Sequence, residues 1–317
     1  DILLFERFGI LSPTQWYKEN TPAVQTAIEE LEKTSQLLER FTTTGDEKRD
    51  RRIIDMRDTL SHLARYGRFF LEHEKEMLRM LGDTEPMKYI IFNQNRDEIR
   101  ANGGFPWTVF TFTLYKGNIL DYRKDDVYYY DWNLFPNVEA PPLWLEQFGN
   151  FGLRDVTYYP LFRESLEKAN SFIEKSGETS VTNGIAINQW LIEDILAVTG
   201  PVTLSGIAEP FTEKNFSSLM STLVEAKYAK VKTPKDVLFE FVDALEKKVL
   251  SEGMIAPVLT IIEKNLKNGQ IILRSRDDAT DRFLLSFGVF DTFVADKSNW
   301  VYPIFTNVGG NKSDRFV

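Results

Sequence analysis

Lys88-Tyr89-Ile90-Ile91-Phe92 is a short unbroken apolar run, and after a polar interval comes Trp107-Thr108-Val109-Phe110-Thr111-Phe112-Thr113-Leu114-Tyr115, where threonines alternate with apolar residues. The first reads as a strand buried on both faces and the second as a strand with two unlike faces. Lys116-Gly117-Asn118 supplies a turn into a third strand from Ile119 to Arg123, so these segments predict a hairpin entering a larger sheet. Beyond Pro141-Pro142 the pattern alternates. A helix is predicted from Phe162 to Lys175, a strand from Gly184 to Ile187, and a helix from Gln189 to Val198 closed by Thr199-Gly200-Pro201. A strand at Val202 to Leu204 follows, then helices near Glu213 to Tyr228, Pro234 to Leu250 and Ile255 to Leu266, a strand from Gln270 to Arg274 and a helix from Thr280. Strands interleaved with helices of this length predict the α/β class, with a mixed sheet flanked by helices.

The residues before Gly82 have a different texture. Thr21 and Pro22 supply an N-cap and a first helical position, and Val24, Ile28, Leu31, Leu38 and Phe41 fall on one stripe. After Thr42-Thr43-Thr44-Gly45-Asp46, a second helix carries Ile53, Met56, Leu60, Leu63, Phe70 and Met77, with Gly67 and Glu74 interrupting the repeat. Two such helices joined by a polar loop predict an antiparallel helical hairpin preceding the sheet, either a spacer or the first layer of a globular fold. The predicted organisation is a hairpin or stalk over residues 1–82 and an α/β domain over 83–317, the latter reading as cut short at its C-terminal end.

Composition removes whole classes of chemistry. The chain has 317 residues, 47 acidic against 38 basic, for a net charge of -9, which opposes binding of a polyphosphate strand; no nucleic acid is expected. With no cysteine there are no disulfides, thiolate metal sites or thiol nucleophiles. His62 and His73 both lie in the charged helical stretch, in company that matches no ligand or relay pattern. No apolar run is long enough to span a bilayer, so any membrane attachment is expected through an anchor outside this fragment. P-loop, nucleophile-elbow and dinucleotide fingerprints are absent.

The densest polar segment is Asn93 to Phe105, read as a loop leaving the first strand, where α/β folds place ligands. Arg96 and Arg100 there are candidate anion-binding residues, joined by Arg154 from the Arg154-Asp155 step. Asp97, Glu98 and Asp155 are candidate ligands for a hard cation. The same residues also suit local ion pairs and caps around a solvent-exposed turn. Gly103-Gly104 permits positive φ or close backbone approach. Asp121, Asp125, Asp126 and Asp131 lack the spacing of a calcium loop. Tyr128, Tyr129, Tyr130 and Trp132 form a candidate interaction surface or, alternatively, fill a core. Gly309-Gly310-Asn311-Lys312 reads as a turn or an anion-binding backbone nest.

Together the motifs Tyr89-Ile90-Ile91-Phe92-Asn93-Gln94-Asn95, Glu98-Ile99-Arg100-Ala101-Asn102-Gly103-Gly104-Phe105, Leu153-Arg154-Asp155, Gly184-Ile185-Ala186-Ile187, Leu196-Ala197-Val198-Thr199-Gly200-Pro201-Val202 and Asn307-Val308-Gly309-Gly310-Asn311-Lys312-Ser313-Asp314 resemble the bacterial family catalogued as domain of unknown function 4012. The resemblance implies an envelope protein whose relatives carry an upstream transmembrane helix, placing this chain on the extracellular face of a bacterial cell envelope. More distantly it is similar to the LytR-CpsA-Psr group, which transfers lipid-linked glycopolymers and binds pyrophosphate and magnesium through arginines and aspartates. That similarity would put Glu98 and Arg100 in a first ligand loop and Arg154-Asp155 in a second cluster. The chain departs at Val156 to Leu161 and at Phe105-Pro106-Trp107, where the group's smaller or polar residues are replaced. The expectation is a noncatalytic envelope assembly protein, needing no cofactor, whose partners are other envelope proteins, further copies of itself or a cell-wall glycopolymer. The alternative is a magnesium-dependent glycopolymer transferase or pyrophosphate-binding enzyme. A carbohydrate-binding module, resting on 13% aromatic content, ranks below both.

Overall fold

A computed structural model describes residues 11–132, 140–142, 144, 150–225, 235–287 and 303–307. The turn at Gly309 to Lys312, the end of the helix read to Tyr228 and the side chain of Trp132 lie outside the described residues. The described chain is a mixed α/β protein in which five strands form one sheet in the order β3-β2-β1-β4-β5. These are β1 (Met87–Arg100), β2 (Gly103–Tyr115), β3 (Asn118–Asp126), β4 (Asn183–Asn188) and β5 (Ile271–Ser275). β1 and β4 run parallel, with Ile91 beside Ile185 and Gln94 beside Asn188, whereas β4 and β5 run antiparallel, with Ile185 beside Leu273.

Two long helices precede the sheet, α1 (Pro13–Glu39) and α2 (Glu47–Glu72), followed by a short α3 (Glu74–Met80). α1 starts earlier than Thr21: Ser12 caps it, its hydroxyl accepting from the Gln15 amide, and Pro13 takes the first position. The Thr21-Pro22 signal marks a kink instead. Asn20 has non-helical angles (φ -116°, ψ 16°), and the Thr21 hydroxyl donates to the Tyr17 carbonyl at 3.0 Å. The second helix likewise breaks, at His73 (φ -122°, ψ 31°), rather than running on to Met77. The pair packs because Gly67 leaves room for Ile28, whose Cγ1 would lie 2.7 Å from an added Cβ, and because Arg68 grips Glu32 with two hydrogen bonds of 3.0 and 2.7 Å.

The chain resolves into two compact units. One holds the helical residues through Met87, with Leu114–Leu120 and Gly253–Thr260; the other holds Lys88–Thr113, Asp121–Glu252 and the residues from Ile261 onward. In the second unit the core lies against the central strands. Ile90 and Phe92 of β1 are fully buried, and Phe92 meets Phe162 edge-on at 5.8 Å. Phe162 opens α5 (Phe162–Lys175), whose Leu166, Ala169 and Phe172 are also buried. Gly184 lets that helix sit on β4, since a Cβ there would stand 2.8 Å from Leu166 Cδ1. The helices α6 (Gln189–Thr199), α7 (Phe216–Glu225), α8 (Asp236–Ser251), α9 (Ile255–Lys267) and α10 (Asp278–Ser286) complete the described elements, with a one-turn helix, α4 (Val127–Trp132), after β3. Val202 to Leu204 is not a strand of the sheet: Val202 makes only an isolated bridge to Phe211.

The largest difference from the sequence reading is at Asn93–Arg100. It is not a loop but the continuation of β1, which reaches β2 through a two-residue turn at Ala101-Asn102. Paired glycines make this possible. Gly103 takes φ +140°, and a Cβ on Gly104 would stand 2.2 Å from the Asn95 carbonyl oxygen. Because that neighbour is backbone, Gly104→Ala is expected to destabilise the protein by about 1–3 kcal/mol through overpacking, read as a lower urea midpoint with unchanged slope. A midpoint equal to wild type would show that the strands have room to separate.

Candidate functional site

Since β1 continues past Phe92, its polar side chains are displayed from a rigid strand and divide into two groups. In the first, Arg96 Nη2 pairs with Glu193 Oε1 of α6 at 2.9 Å, and its guanidinium lies 4.8 Å from the centre of the Trp190 ring. Asp97, 2% exposed, faces α7, with Oδ2 at 3.1 Å from the Ser217 hydroxyl and 3.5 Å from that of Ser221. Burial raises the Glu193 carboxyl above its ordinary value, and the Arg96 charge only partly offsets this.

The second group gathers residues distant in sequence. Arg100 and Glu98 form a buried pair at 2.7 Å, with side chains 5% and 8% exposed. Arg100 also donates through Nη1 to the Asn307 carbonyl at 2.5 Å and lies 5.3 Å from the centre of the Phe105 ring. Opposite stands a 3-10 turn, Leu153–Tyr158, fixed at its start by two carboxylates: Asp155 accepts from the Gly152 amide at 3.0 Å and Asp131 from the Leu153 amide at 2.6 Å. Arg154 is held between them, 2.7 Å from Asp131 and 3.5 Å from Asp155, with its guanidinium 5.5 Å from the centre of the Tyr128 ring.

These pieces share one electrostatic neighbourhood. Asp155 feels the charges of Arg154, Asp131 and Arg100, and the Tyr128 hydroxyl feels Arg154, Asp126, Glu98 and Asp155. Of the six charged candidates, the fold therefore brings Glu98, Arg100, Arg154 and Asp155 together and leaves Arg96 and Asp97 against α6 and α7. Asp131 belongs to the cluster, though the sequence shows it only within an acidic stretch. Lys235 nears the same region: its ammonium lies 5.0 Å from the centre of the Tyr128 ring and bonds to Asp126 and the Trp107 carbonyl. No local sequence signal marks it.

Among the aromatic candidates, Tyr128 and Tyr129 are 40% and 43% exposed. Tyr130 is not on the surface: at 1% exposure it is core, its hydroxyl donating to Asp125 at 3.0 Å. A single helical turn cannot point three consecutive side chains to one side, since each step rotates the chain by about 100°.

Most of the cluster's carboxylate oxygens are engaged by the protein itself. Asp131 gives one oxygen to the Leu153 amide and the other to Arg154, Asp155 takes the Gly152 amide and Arg154 on Oδ2, Glu98 pairs with Arg100, and Asp97 lies with the other group. Among the described residues no group of three or more His, Asp or Glu side chains could hold a metal ion.

Burial pushes Asp155 up to about 6, against the pull of the Gly152 amide and Arg154. An acid whose folded value exceeds its unfolded one keeps a proton that the unfolded chain has already released. Its contribution to stability therefore falls as pH rises from about 4 to about 6, then levels off, by up to roughly 3 kcal/mol. Asp155→Asn, which keeps a carbonyl acceptor for Gly152, is expected to remove that part of the slope in melts between pH 4 and 7.5. Identical slopes in variant and wild type would refute the assignment.

The fold and cluster define a mixed α/β protein with a buried, internally neutralised arginine-carboxylate centre on a strand end and a 3-10 turn. Residues 84–224 match the family described as protein of unknown function DUF4012. Among solved structures, the chain is similar to the Lin1025 protein from Listeria innocua, with 10% identity over 64% of this chain and 78% of that one and a TM-score of 0.36. It is also similar to the transcriptional regulator yvhJ from Bacillus subtilis, with 10% identity over 65% and 77% and a TM-score of 0.32. Both scores are low, and neither carries the family reading to an activity. The comparison with curated proteins found no match. No described helix is long and apolar enough to cross a membrane.

Proposed function

We propose that this chain is a noncatalytic interaction module of a bacterial cell envelope, acting at the extracellular face and tethered through a segment outside the described residues. The observation that carries this reading is the contrast between two neighbouring features. Arg100 and Arg154 are neutralised by the chain's own Glu98, Asp131 and Asp155, whereas Tyr128 and Tyr129 expose ring surface. Cations back those rings, Arg154 and Lys235 at Tyr128 and Arg123 at Tyr129. Aromatic faces beside positive charge suit an anionic cell-wall glycopolymer, and equally a facing protein surface, whether another envelope protein or a further copy of the chain. Sedimentation with purified wall glycopolymer tests this, comparing wild type with Tyr128→Ala/Tyr129→Ala. Wild-type pelleting lost in the double variant supports the reading; equal pelleting of both removes the tyrosines from it.

A second reading is favoured by one specific observation: the charges of Arg100 and Arg154 both bear on Asp155, as a pyrophosphate-binding or glycopolymer-transferring site would require. Calorimetric titration of a lipid-like pyrophosphate with magnesium separates the two readings. Saturable, magnesium-dependent binding lost in Arg154→Ala favours the enzyme; no heat at millimolar ligand favours the interaction module.

A further inference from the structure

The helical unit carries an open groove of about 460 Å³ that the proposal above does not use. Its volume falls within the roughly 300–1,000 Å³ typical of ligand pockets. Leu11, Trp16, Tyr17, Phe70, Leu78 and Leu81 supply most of the wall, and no lining residue is charged. That is unusual in a chain that is 27% charged with a net charge of -9.

We infer that this groove takes the hydrocarbon chain of a bilayer lipid and so docks the helical unit on a membrane surface. An uncharged wall gives an anion, a peptide ion or a polyelectrolyte no opposite charge to pair with, whereas it suits an uncharged alkyl chain. Trp16 is 52% exposed and Leu11 39% exposed, so large apolar surface stays in water unless something covers it. An indole half in and half out of the groove matches the depth at which tryptophan is enriched in bilayers. The strand that leaves the groove at Asn118 continues with Ile119 and Leu120, 65% and 45% exposed. One polar feature fits the same occupant: the Asn118 side-chain amide is buried in the groove wall without a hydrogen-bond partner, a donor placed for an ester carbonyl.

Membrane contact would then be made by the helical unit itself as well as by any separate tether. Flotation of the purified chain with phosphatidylcholine vesicles tests this, at low and high salt, for wild type, Trp16→Asp and Ile119→Asp. Both substitutions are at exposed positions, and circular dichroism checks that the variants remain folded. Wild type is expected to float to the same extent at both salt concentrations, because contact is with hydrocarbon, and each variant to lose roughly tenfold in partitioning. Failure of wild type to float, variants that float like wild type, or release by salt would each overturn the inference. So would a concentration-dependent increase in mass without vesicles that Trp16→Asp abolishes, since the groove would then be an interface between copies. Tyr128→Ala/Tyr129→Ala is expected to float normally, which keeps this result separate from the glycopolymer reading.

Discussion

Asp281→Ala is expected to lower the unfolding free energy by about 3–5 kcal/mol. Asp281 is 1% exposed and serves three partners at once. Arg274 of β5 grips it with Nε to Oδ1 and Nη2 to Oδ2, both at 2.8 Å. Arg163 of α5 reaches Oδ2 at 2.8 Å, and the Ser275 amide donates to Oδ1 at 2.9 Å. Removing the carboxylate leaves the Arg274 guanidinium, itself 5% exposed, buried without this counter-ion at the point where sheet and two helices meet. Burial alone would raise the Asp281 carboxyl, but Arg274, the Ser275 amide and Arg163 outweigh it and hold it below its ordinary value. Its contribution is thus full above about pH 4 and is lost as pH falls through the lowered folded value. Chemical denaturation at neutral pH checks the magnitude, and Arg274→Met/Asp281→Leu is expected to recover much of the loss because no buried charge is left over. A shift below about 1 kcal/mol for Asp281→Ala would mean that water reaches the arginine.

Arg100→Met is expected to cost about 3–5 kcal/mol for the same reason, since it removes the Arg100 charge from a Glu98 carboxylate buried at 8% side-chain exposure. Here the compensating change decides between roles. If Arg100 is a structural counter-ion, Glu98→Gln/Arg100→Met regains most of the stability and still binds wall glycopolymer. If Arg100 is part of an anion site, the double variant regains stability but loses pyrophosphate binding. Two readouts, unfolding midpoint and ligand heat, therefore separate packing from recognition at a residue where a single substitution would blur them.

Much of the fold was legible because hydrophobic period reports directly on local geometry. Spacing alone bounds the helix from Phe162 to Lys175, and the strand predicted at Gly184 to Ile187 extends by one residue at each end. Where reading failed, a tertiary contact overrode a local signal. Thr21-Pro22 has the chemistry of a helix start, yet the chain is already helical from Pro13 because Ser12 and Gln15 cap it. Asn93 to Arg100 is polar enough to read as a loop, yet it stays extended because β4 continues beside it to Gln94 and β2 lies close enough to need Gly104. Tyr130 is indistinguishable from Tyr128 and Tyr129 in composition; only the direction of one helical turn puts it in the core.

The α/β class, the two long leading helices, the absence of cysteine chemistry and the DUF4012 resemblance follow from residue type and spacing along the chain alone. Which charges meet depends on the folded arrangement. Glu98, Arg100, Asp131, Arg154 and Asp155 come together while Arg96 and Asp97 turn toward α6 and α7, and the Trp16 groove forms from residues as far apart as Leu11 and Asn118. Side chains along a strand alternate between faces, and electrostatic energy depends on distance through space, so neither pairing nor burial can be read from order in the chain.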